Sequence, residues 1–323
     1  MTSTLAILLT IPLSAPPKEP WTTPKGPIEY GHGLTKEQAL EGWLSLFDGK
    51  STFGWNGAIL RKGQLHGGRS RAFFGPIQIR AKIVKGGILR IGRIPLPVRP
   101  GILTTFVREK RAQINLGSVR ISSLIVRPLG LEDQFNGKNL DSWKVIKHPR
   151  LPLSRQAKWS AEKGVIRAIG GPGALELQKK SFGDFCLQID VRARANLVNG
   201  GVFFRSIPGK FMLGYEAQIF NACHGRDRSR VARYSTGAID DRQLARRLVS
   251  SDREWFTMTV LAVGNQISTW VNGYQTVNWV DEREPDENPR KGLRVKPGSL
   301  QIQAHDPKTD LEVRRIRIVE IQK

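Results

Sequence analysis

The sequence predicts an all-β protein made of antiparallel β-sandwiches, and two features of the chain support this fold class. First, short segments alternate apolar and polar residues with the period of two that is typical of half-buried strands, as in IQIRAKIV at 77–84 and FCLQIDVRAR at 185–194. Second, Gly, Pro and Asn separate these segments, and helix signals are few. Short strands in succession, without helices between them, favour antiparallel sheets packed face to face.

The chain repeats itself, which predicts two tandem sandwiches. LFDGKSTFGW at 46–55 and DQFNGKNLDSW at 133–143 share Phe, Gly, Lys and Trp at matching positions, and each is followed by an alternating strand and a Gly-Gly pair. We expect a shortened first copy at 44–130, without a counterpart of 208–297, and a fuller second copy at 131–323. In this alignment Phe106 and Arg108 take the places of Gln303 and His305.

The N-terminal region has two predicted parts. Residues 1–15 contain the apolar run LAILLTIPLSA, which is typical of a signal peptide and predicts a secreted or periplasmic protein. No Lys or Arg precedes this run, and Pro16 follows the expected cleavage site, so a cytoplasmic location stays open. Residues 16–43 form a Pro-rich linker and a short helix. No apolar segment reaches the roughly 20 residues that span a bilayer.

Local signals predict one helix and one hairpin. Thr35 can cap a helix that begins in TKEQAL, and Asn272-Gly273 predicts a two-residue hairpin turn, because both residues tolerate positive φ. The two cysteines, Cys186 and Cys223, leave one disulfide or two free thiols open.

Positive charge is concentrated in the first half of the chain. The formal net charge is +23, and residues 56–130 contain 15 Lys or Arg against a single acid, Glu109. This segment, here called the basic segment, favours an anionic partner such as an anionic polysaccharide, although general solubility is an equally good interpretation. It contains no nucleic-acid-binding motif and few aromatic residues, which argues against nucleic acid.

The second copy carries a predicted polar sheet face. In FMLGYEAQIF and SLQIQAHD, alternate residues are polar, so each strand presents its polar side chains on one face. Planar hydrogen-bonding groups suit sugar hydroxyls, and titratable groups suit proton transfer. An antiparallel sheet also commonly leaves one face wet, which explains such a pattern without any site. If the strands share one sheet, the face contains Arg205, Glu216, Gln218, Gln303 and His305, with Gln188 and Asp190 nearby.

The second copy resembles the 3-keto-disaccharide hydrolase family, also described as 3-keto-glucoside 1,2-lyases and 3-keto-2-hydroxy-glucal hydratases. The motifs that carry the resemblance are FNGKNLDSW, NGGVFFR, GYEAQIFN, STGAID, DREW, WVNGYQTV, LQIQAHD and VRRIRI, in this order over 131–323. The first copy shares only the opening and closing motifs. The resemblance implies a concanavalin A-like jelly roll that acts on sugars whose C3 hydroxyl is oxidised to a ketone.

The resemblance also implies roles for individual residues. Glu216 is expected to act as the base or as a ligand of a divalent metal, with His305 as the second acid/base or metal ligand and Arg205 beside the C3 oxygen. The expected substrate-binding residues are Gln218, Gln303, Asn199, Asp240, Gln188 and Asp190. No cofactor is otherwise indicated.

Two other functions stay open at this point. A non-catalytic carbohydrate-binding protein could hold an anionic glycan through Arg80, Lys82 and Arg120 of the basic segment. A classical glycosidase is less favoured, because it needs two suitably spaced carboxylates and Glu216 has no partner in a recognisable motif.

Overall fold

The structure is a computed structural model that describes residues 20–322. It consists of antiparallel β-sheets with a single α-helix, which confirms the predicted all-β fold. The candidate signal peptide at 1–15 and the start of the Pro-rich linker lie outside the described residues.

The first half of the chain forms one sandwich. The helix and strands of this half are β1 (Trp21–Thr22), α1 (Lys36–Leu40), β2 (Leu44–Ser45), β3 (Trp55–Asn56), β4 (Ile59–Arg61), β5 (Gln64–His66), β6 (Arg69–Ser70), β7 (Ile77–Lys85), β8 (Gly87–Ile91), β9 (Ile94–Val98), β10 (Gly101–Val107), β11 (Ile114–Asn115) and β12 (Arg120–Pro128). The sandwich contains a six-stranded sheet in the order β10-β7-β12-β5-β4, with β2 added on β12, and a five-stranded sheet in the order β3-β6-β11-β8-β9.

The second half forms a larger sandwich. Its strands and one 3-10 turn at Leu153–Arg155 are β13 (Glu132–Asp133), β14 (Trp143–Ile146), β15 (Lys158–Glu162), β16 (Val165–Ile169), β17 (Gly173–Leu177), β18 (Phe185–Ala193), β19 (Gly200–Ser206), β20 (Tyr215–Ile219), β21 (Cys223–His224), β22 (Asp227–Val231), β23 (Phe256–Val263), β24 (Gln266–Val271), β25 (Tyr274–Val280), β26 (Ser299–Ala304) and β27 (Asp310–Glu320). The eight-stranded sheet has the order β15-β16-β27-β18-β23-β24-β25, with β13 on β27, and the five-stranded sheet has the order β14-β17-β26-β19-β20.

The strand order of the first sandwich repeats in the second. In the five-stranded sheets, β3, β6, β11, β8 and β9 correspond in turn to β14, β17, β26, β19 and β20. In the larger sheets, β4, β5, β12, β7 and β10 correspond to β15, β16, β27, β18 and β23. Strands β21, β22, β24 and β25 have no counterpart. The common order agrees with a tandem duplication, which stays a prediction.

Two details of the sequence alignment are wrong. Phe106 does not take the place of Gln303, and Arg108 does not take the place of His305, because β10 lies in the six-stranded sheet whereas β26 lies in the five-stranded sheet. The first sandwich was also predicted to lack any counterpart of 208–297. It has strands β9 and β10 at the sheet positions of β20 and β23, so only part of 208–297 has no counterpart. Strands β10 and β26 both lie shortly before the last strand of their sandwich, so the sequence alone allows them to be aligned although they do not correspond in the structure.

The two sandwiches pack against each other. Cys186, Leu261 and Trp270, on the outer face of the eight-stranded sheet, belong to one buried apolar cluster with the core residues of the first sandwich. The Trp270 indole N–H donates a hydrogen bond of 3.0 Å to the Ser45 carbonyl. The first sandwich, together with the helix before it, therefore covers one face of the second.

Both local predictions are confirmed. Thr35 caps α1 in a capping box, in which its hydroxyl accepts a hydrogen bond from the Gln38 backbone N–H and the Gln38 side chain accepts one from the Thr35 N–H. Asn272 and Gly273, with φ of 49° and 71°, form the turn between β24 and β25.

The cysteines are free and buried. Burial raises the pKa of the Cys186 thiol to about 12, so this residue serves as an apolar packing group. Within residues 20–322, no helix is long and apolar enough to cross a membrane.

Candidate functional site

A polar cleft of about 530 Å³ lies on the outer face of the second five-stranded sheet. Its floor comes from β19, β20 and β26, which are neighbours at one side of that sheet. The cleft contains six of the nine residues that the sequence predicted for the site. These six residues are Asn199, Glu216, Gln218, Asp240, Gln303 and His305.

A glycine makes room for the Glu216 carboxyl group on the cleft floor. Gly201 of β19 pairs with Gln218 on one side and with Gln303 on the other. A Cβ atom at Gly201 would lie 2.4 Å from Glu216 Oε1. The carboxyl group of Glu216 therefore lies over a bare backbone position between two glutamines, where any larger residue would displace it.

Four buried oxygen atoms of the cleft have no hydrogen-bond partner within the described residues. They belong to carboxyl and amide groups, which are acceptors that native structures normally satisfy. Four such acceptors in one cleft require donors from a ligand or from solvent, and the hydroxyl groups of a sugar can supply them. The atoms are Glu216 Oε1, Gln218 Oε1, Gln303 Oε1 and Asn199 Oδ1.

Asp240 is held beside Glu216 by backbone pairing. The segment STGAID runs along the free edge of β20, where the Gln218 N–H donates to the Ala238 carbonyl and the Asp240 N–H donates to the Glu216 carbonyl, each over 3.0 Å. This places two carboxyl groups side by side at the cleft. No single sequence motif pairs Glu216 with a carboxylate, because Glu216 and Asp240 come from separate motifs.

An arginine that the sequence reasoning missed joins the two carboxyl groups. Arg290 Nη1 donates to Asp240 Oδ2 over 2.7 Å, and Arg290 Nη2 donates to Glu216 Oε2 over 3.4 Å. The Arg290 guanidinium carbon also lies 5.6 Å from the centroid of the Phe203 ring. Arg290 lies in the loop between β25 and β26, and no periodic pattern in that loop indicates its position.

A buried network holds the Arg290 loop in place. Arg283 Nη2 donates to the carbonyl oxygens of Pro289 (3.0 Å) and Gly292 (2.9 Å), which flank Arg290. Arg283 is fixed in turn by Asp281, which also accepts a hydrogen bond of 2.7 Å from the Tyr215 hydroxyl. Burial opposes ionisation of Asp281, but the hydrogen bonds from Arg283 and Tyr215 outweigh it and lower the pKa of Asp281. A charged Asp281 therefore holds Arg283, which positions the loop.

The ionisation of Glu216 is strongly perturbed by its position in the cleft. Its side chain is 2% exposed, and burial raises its pKa well above the usual range. The neighbouring Asp240 carboxyl raises the pKa of Glu216 further, while Arg290 opposes the shift. A carboxyl group with a raised pKa is a stronger base than an ordinary carboxylate, which suits a proton-transfer role.

His305 lies at the mouth of the cleft, immediately after the end of β26. Its ring is exposed, and Nδ1 lies 3.5 Å from Asp306 Oδ2. The imidazole can reach a group bound in the cleft while it stays in contact with water.

Arg205 does not lie in the cleft, contrary to the prediction. A β-bulge between Phe203 and Ser206 and a φ of 48° at Arg205 interrupt the alternation of β19. The guanidinium is fully buried, where it donates to the carbonyl oxygens of Gly183 (2.9 Å) and Gly264 (2.7 Å). It also forms an ion pair with Asp184 over 3.1 Å. Arg205 therefore ties loops of the second sandwich together.

Gln188 and Asp190 do not lie in the cleft either. Both belong to β18 of the eight-stranded sheet, on the face that the first sandwich and α1 cover. The Gln188 amide donates to the Gly42 carbonyl over 2.7 Å, and Asp190 pairs with Arg314 and Arg315. The sequence pattern showed which residues share a face of a strand but not which sheet the strand joins.

The cleft does not fit the divalent metal that the resemblance implied at Glu216 and His305. Within residues 20–322, no three His, Cys, Asp or Glu side chains cluster as metal ligands. The positive charge beside Glu216 and Asp240 is already supplied by the Arg290 guanidinium, which would repel a cation at the same place.

Comparison with known proteins identifies the second sandwich. The model of the 3-keto-alpha-glucoside-1,2-lyase-like domain matches residues 130–319, which include the three strands of the cleft floor. The chain belongs to this family. The match begins at the start of the second sandwich, so the 3-keto-alpha-glucoside-1,2-lyase-like domain of this chain is the half that contains the cleft floor.

Several solved structures are similar to part of this chain. A protein assigned as a glycosyl hydrolase from Parabacteroides distasonis ATCC 8503 is 18% identical, with a TM-score of 0.47 over 60% of this chain and 94% of its own. A second such protein from the same organism is 20% identical, with a TM-score of 0.44 over 60% and 85%. The β-glucanase of Bacillus licheniformis is 12% identical, with a TM-score of 0.39 over 60% and 99%. No curated protein sequence matches the chain.

Proposed function

We propose that the second sandwich cleaves 3-keto-glucosides by β-elimination of the C1 substituent, followed by hydration. Membership of the 3-keto-alpha-glucoside-1,2-lyase-like family supports a carbohydrate-active enzyme. The observation that carries the specific chemistry is the arrangement of Glu216, Asp240 and Arg290, in which a buried carboxyl group with a raised pKa lies beside a guanidinium.

Glu216 performs the first proton transfer. The proton on C2 of the sugar is acidic because the neighbouring C3 ketone stabilises the carbanion as an enolate. Glu216 takes this proton, and the electron pair of the C2–H bond moves toward the C3 oxygen. Its raised pKa makes Glu216 a stronger base than an ordinary carboxylate.

Arg290 stabilises the charge that develops in this step. Its guanidinium lies beside Glu216 on the loop that Arg283 holds, so a positive charge faces the reacting atoms before the substrate arrives. Preorganised charge of this kind costs no reorganisation during the reaction. In this mechanism Arg290 stabilises the negative charge on the C3 oxygen, the role that the resemblance implied for Arg205.

His305 completes the elimination and the hydration. As the enolate collapses, the C1–O bond breaks, and the leaving oxygen takes a proton from His305. Water then enters the cleft, and the proton held by Glu216 exchanges with it. In the hydration step His305 takes a proton from the attacking water molecule, the remaining hydroxyl bonds to C1, and Glu216 delivers a solvent-derived proton to C2. The net reaction is hydrolysis of one glycosidic bond. The amides of Gln218, Gln303 and Asn199 hold the sugar hydroxyls during both steps.

The test is product release from matched substrates. We expect the full chain to release 3-ketoglucose from a 3-keto-α-glucoside and to leave the unoxidised parent intact. Asp240→Asn and Arg290→Ala should each lower this release, while Lys291→Ala, at the exposed residue next to Arg290, should not. Equal cleavage of the parent glycoside would contradict the elimination chemistry, because the parent has no ketone to acidify C2.

A second candidate function concerns the first sandwich, which we propose binds an anionic glycan. Of the 15 basic residues in the basic segment, Arg111 alone forms an ion pair within residues 20–322, with Asp184. Burial and the cations Arg120, Arg61 and Lys85 lower the pKa of His66, which indicates a positive potential on this face. The predicted residues Arg80, Lys82 and Arg120 lie on β7 and β12, which are neighbours in the six-stranded sheet.

The glycan-binding proposal predicts binding that depends on salt. Heparin should bind the full chain, more weakly as ionic strength rises, and neutral dextran should not. Lys82→Glu combined with Arg120→Glu should weaken heparin binding. Binding that is insensitive to these substitutions and to salt would exclude this surface.

A further inference from the structure

Three aromatic side chains form one wall of the cleft, here called the aromatic rim. Trp21 contacts Phe220 at a ring-centroid distance of 5.1 Å and Tyr234 at 6.3 Å. Both contacts are nearly perpendicular, with interplanar angles of 81° and 83°, so neither ring is stacked parallel on the indole. Trp21 is 46% exposed and lines the cleft together with the other two.

Trp21 reaches this position from outside the family domain. Strand β1 pairs antiparallel with β21, so that Trp21 lies opposite His224 and Thr22 lies opposite Cys223. The Thr22 hydroxyl donates to the Cys223 carbonyl over 3.0 Å and accepts a hydrogen bond of 2.8 Å from the Arg226 N–H. These bonds join residues about 200 positions apart, while the family match begins only at residue 130.

The rim and the cleft floor differ in chemistry. The floor offers unpaired acceptors at Glu216, Gln218, Gln303 and Asn199, which suit hydroxyl groups. The rim offers an apolar, partly exposed indole, which suits the C–H face of a sugar ring. A large apolar side chain that is held by hydrogen-bonded backbone and yet remains half exposed at a cleft is a candidate ligand contact.

We propose that Trp21, supported by Phe220 and Tyr234, is a stacking platform for the pyranose ring of the leaving group. This inference rests on the proposed function for the orientation of the substrate, with the keto-sugar on the floor and the leaving group at the rim. Trp21 is then a specificity-determining residue that this chain adds to the family domain from its N-terminal segment. It favours glycosides whose leaving group is a ring over those with a small leaving group.

The first experiment measures selectivity with two substrates. Selectivity is kcat/KM for 3-keto-maltose divided by kcat/KM for methyl 3-keto-α-glucoside. We expect Trp21→Ala to lower this ratio by about tenfold, which is the upper range of a single aromatic contact. Trp21→Phe should restore part of the ratio. The control Phe106→Ala removes an aromatic residue that is 60% exposed on the first sandwich, and it should leave the ratio as in the wild type. An equal loss for both substrates would show a structural role and overturn the platform.

A binding measurement separates this inference from the catalytic proposal. Unoxidised maltose and methyl α-glucoside are titrated into the wild type and Trp21→Ala by calorimetry, where no turnover is needed. Tighter binding of maltose that is lost in Trp21→Ala supports the platform even if no keto-sugar is cleaved. Equal affinities for the two sugars, or maltose binding that the substitution leaves intact, would overturn the platform whatever the catalytic result.

Discussion

Arg290 donates a hydrogen bond of 2.7 Å to Asp240 and a longer one of 3.4 Å to Glu216, so a single guanidinium joins the two carboxyl groups of the cleft. The shorter bond fixes the arginine on Asp240. The longer bond leaves Glu216, whose Oε1 has no partner among the described residues, available for a substrate. In the proposed mechanism the two carboxyl groups therefore have different roles: Asp240 positions Arg290, and Glu216 transfers the proton.

Replacement of Arg290 should reduce turnover much more than substrate binding. We expect Arg290→Ala to lower kcat for a 3-keto-glucoside by about 10²–10³, the usual effect of removing one preorganised charge-stabilising donor. Arg290→Lys should recover only part of this activity, because an ammonium group lacks the planar fork that contacts both carboxyl groups. Steady-state kinetics with Lys291→Ala as the control would test this. A rise in KM with kcat intact would assign Arg290 to binding instead.

Glu216→Gln should inactivate the enzyme and stabilise the fold above acidic pH. Because the folded-state pKa of Glu216 is raised, the native state holds the proton more tightly than the unfolded state. The stability linked to Glu216 is therefore fully present below its unfolded pKa and is lost as pH rises through its folded pKa. The amide side chain introduced by Glu216→Gln does not ionise, so the variant does not lose this stability as pH rises. Urea unfolding is measured from pH 4 to pH 8. The free energy of unfolding of the variant should exceed that of the wild type by an amount that grows as pH rises. A difference that does not change with pH would contradict the raised pKa of Glu216.

The raised pKa of Glu216 also predicts how kcat/KM decreases at acidic pH. Glu216 must be deprotonated to act as the base, so kcat/KM should fall as pH decreases through its raised pKa. The midpoint of this limb should lie well above the usual value of about 4.3 for a glutamate. A limb with the ordinary carboxylate midpoint would remove Glu216 from the role of base.

Arg205 should matter for stability and not for chemistry. Arg205→Met removes a fully buried guanidinium from its ion pair with the partly buried Asp184, and breaking a buried pair typically costs about 3–5 kcal/mol in the free energy of unfolding. The control Arg233→Met breaks the exposed Arg233–Asp241 ion pair and should leave the free energy of unfolding almost unchanged, because solvent screens such a pair. Urea unfolding measures both. A stable Arg205→Met protein with a large loss of kcat would return Arg205 to the active site.

Gly201→Ala should disturb Glu216 directly. The added Cβ would lie 2.4 Å from Glu216 Oε1, so the carboxyl group has to move away from its place between the two glutamines. We expect kcat to fall by about 10²-fold, the scale expected for a displacement of about 1 Å at a reacting group. Gly75→Ala, where a Cβ would lie 3.6 Å from its nearest neighbour, is the matched control. Equal kinetics for the two variants would contradict the placement of Glu216.

The sequence predicted the parts of the site that lie on regular strands. Alternation along β20 and β26 placed Glu216, Gln218 and Gln303 correctly on one face, because side-chain direction in a strand depends only on the period of two. Gln188 alternates just as regularly, but sheet membership depends on long-range pairing, which periodicity does not encode.

Three further differences between the sequence predictions and the structure have causes that short sequence patterns do not record. Arg205 follows an alternating strand, but a bulge with positive φ turns its side chain away from the cleft. Arg290 lies on an irregular loop whose position depends on buried contacts with Arg283, so no local pattern indicates that it reaches Glu216. Trp21 enters the cleft through pairing with a strand about 200 residues away, which no short motif records.

The most direct test of the account is the isotopic composition of the product formed in D₂O. A 3-keto-α-glucoside is incubated with the wild-type chain in D₂O, and early product is examined by NMR, with pure 3-ketoglucose incubated alone to measure spontaneous exchange. Elimination followed by hydration predicts deuterium at C2 of the released 3-ketoglucose in excess of that control, because the C2–H bond breaks and forms again in every turnover. Release of 3-ketoglucose that keeps its C2 proton would show direct hydrolysis at C1 and contradict the central role of Glu216 as the base at C2.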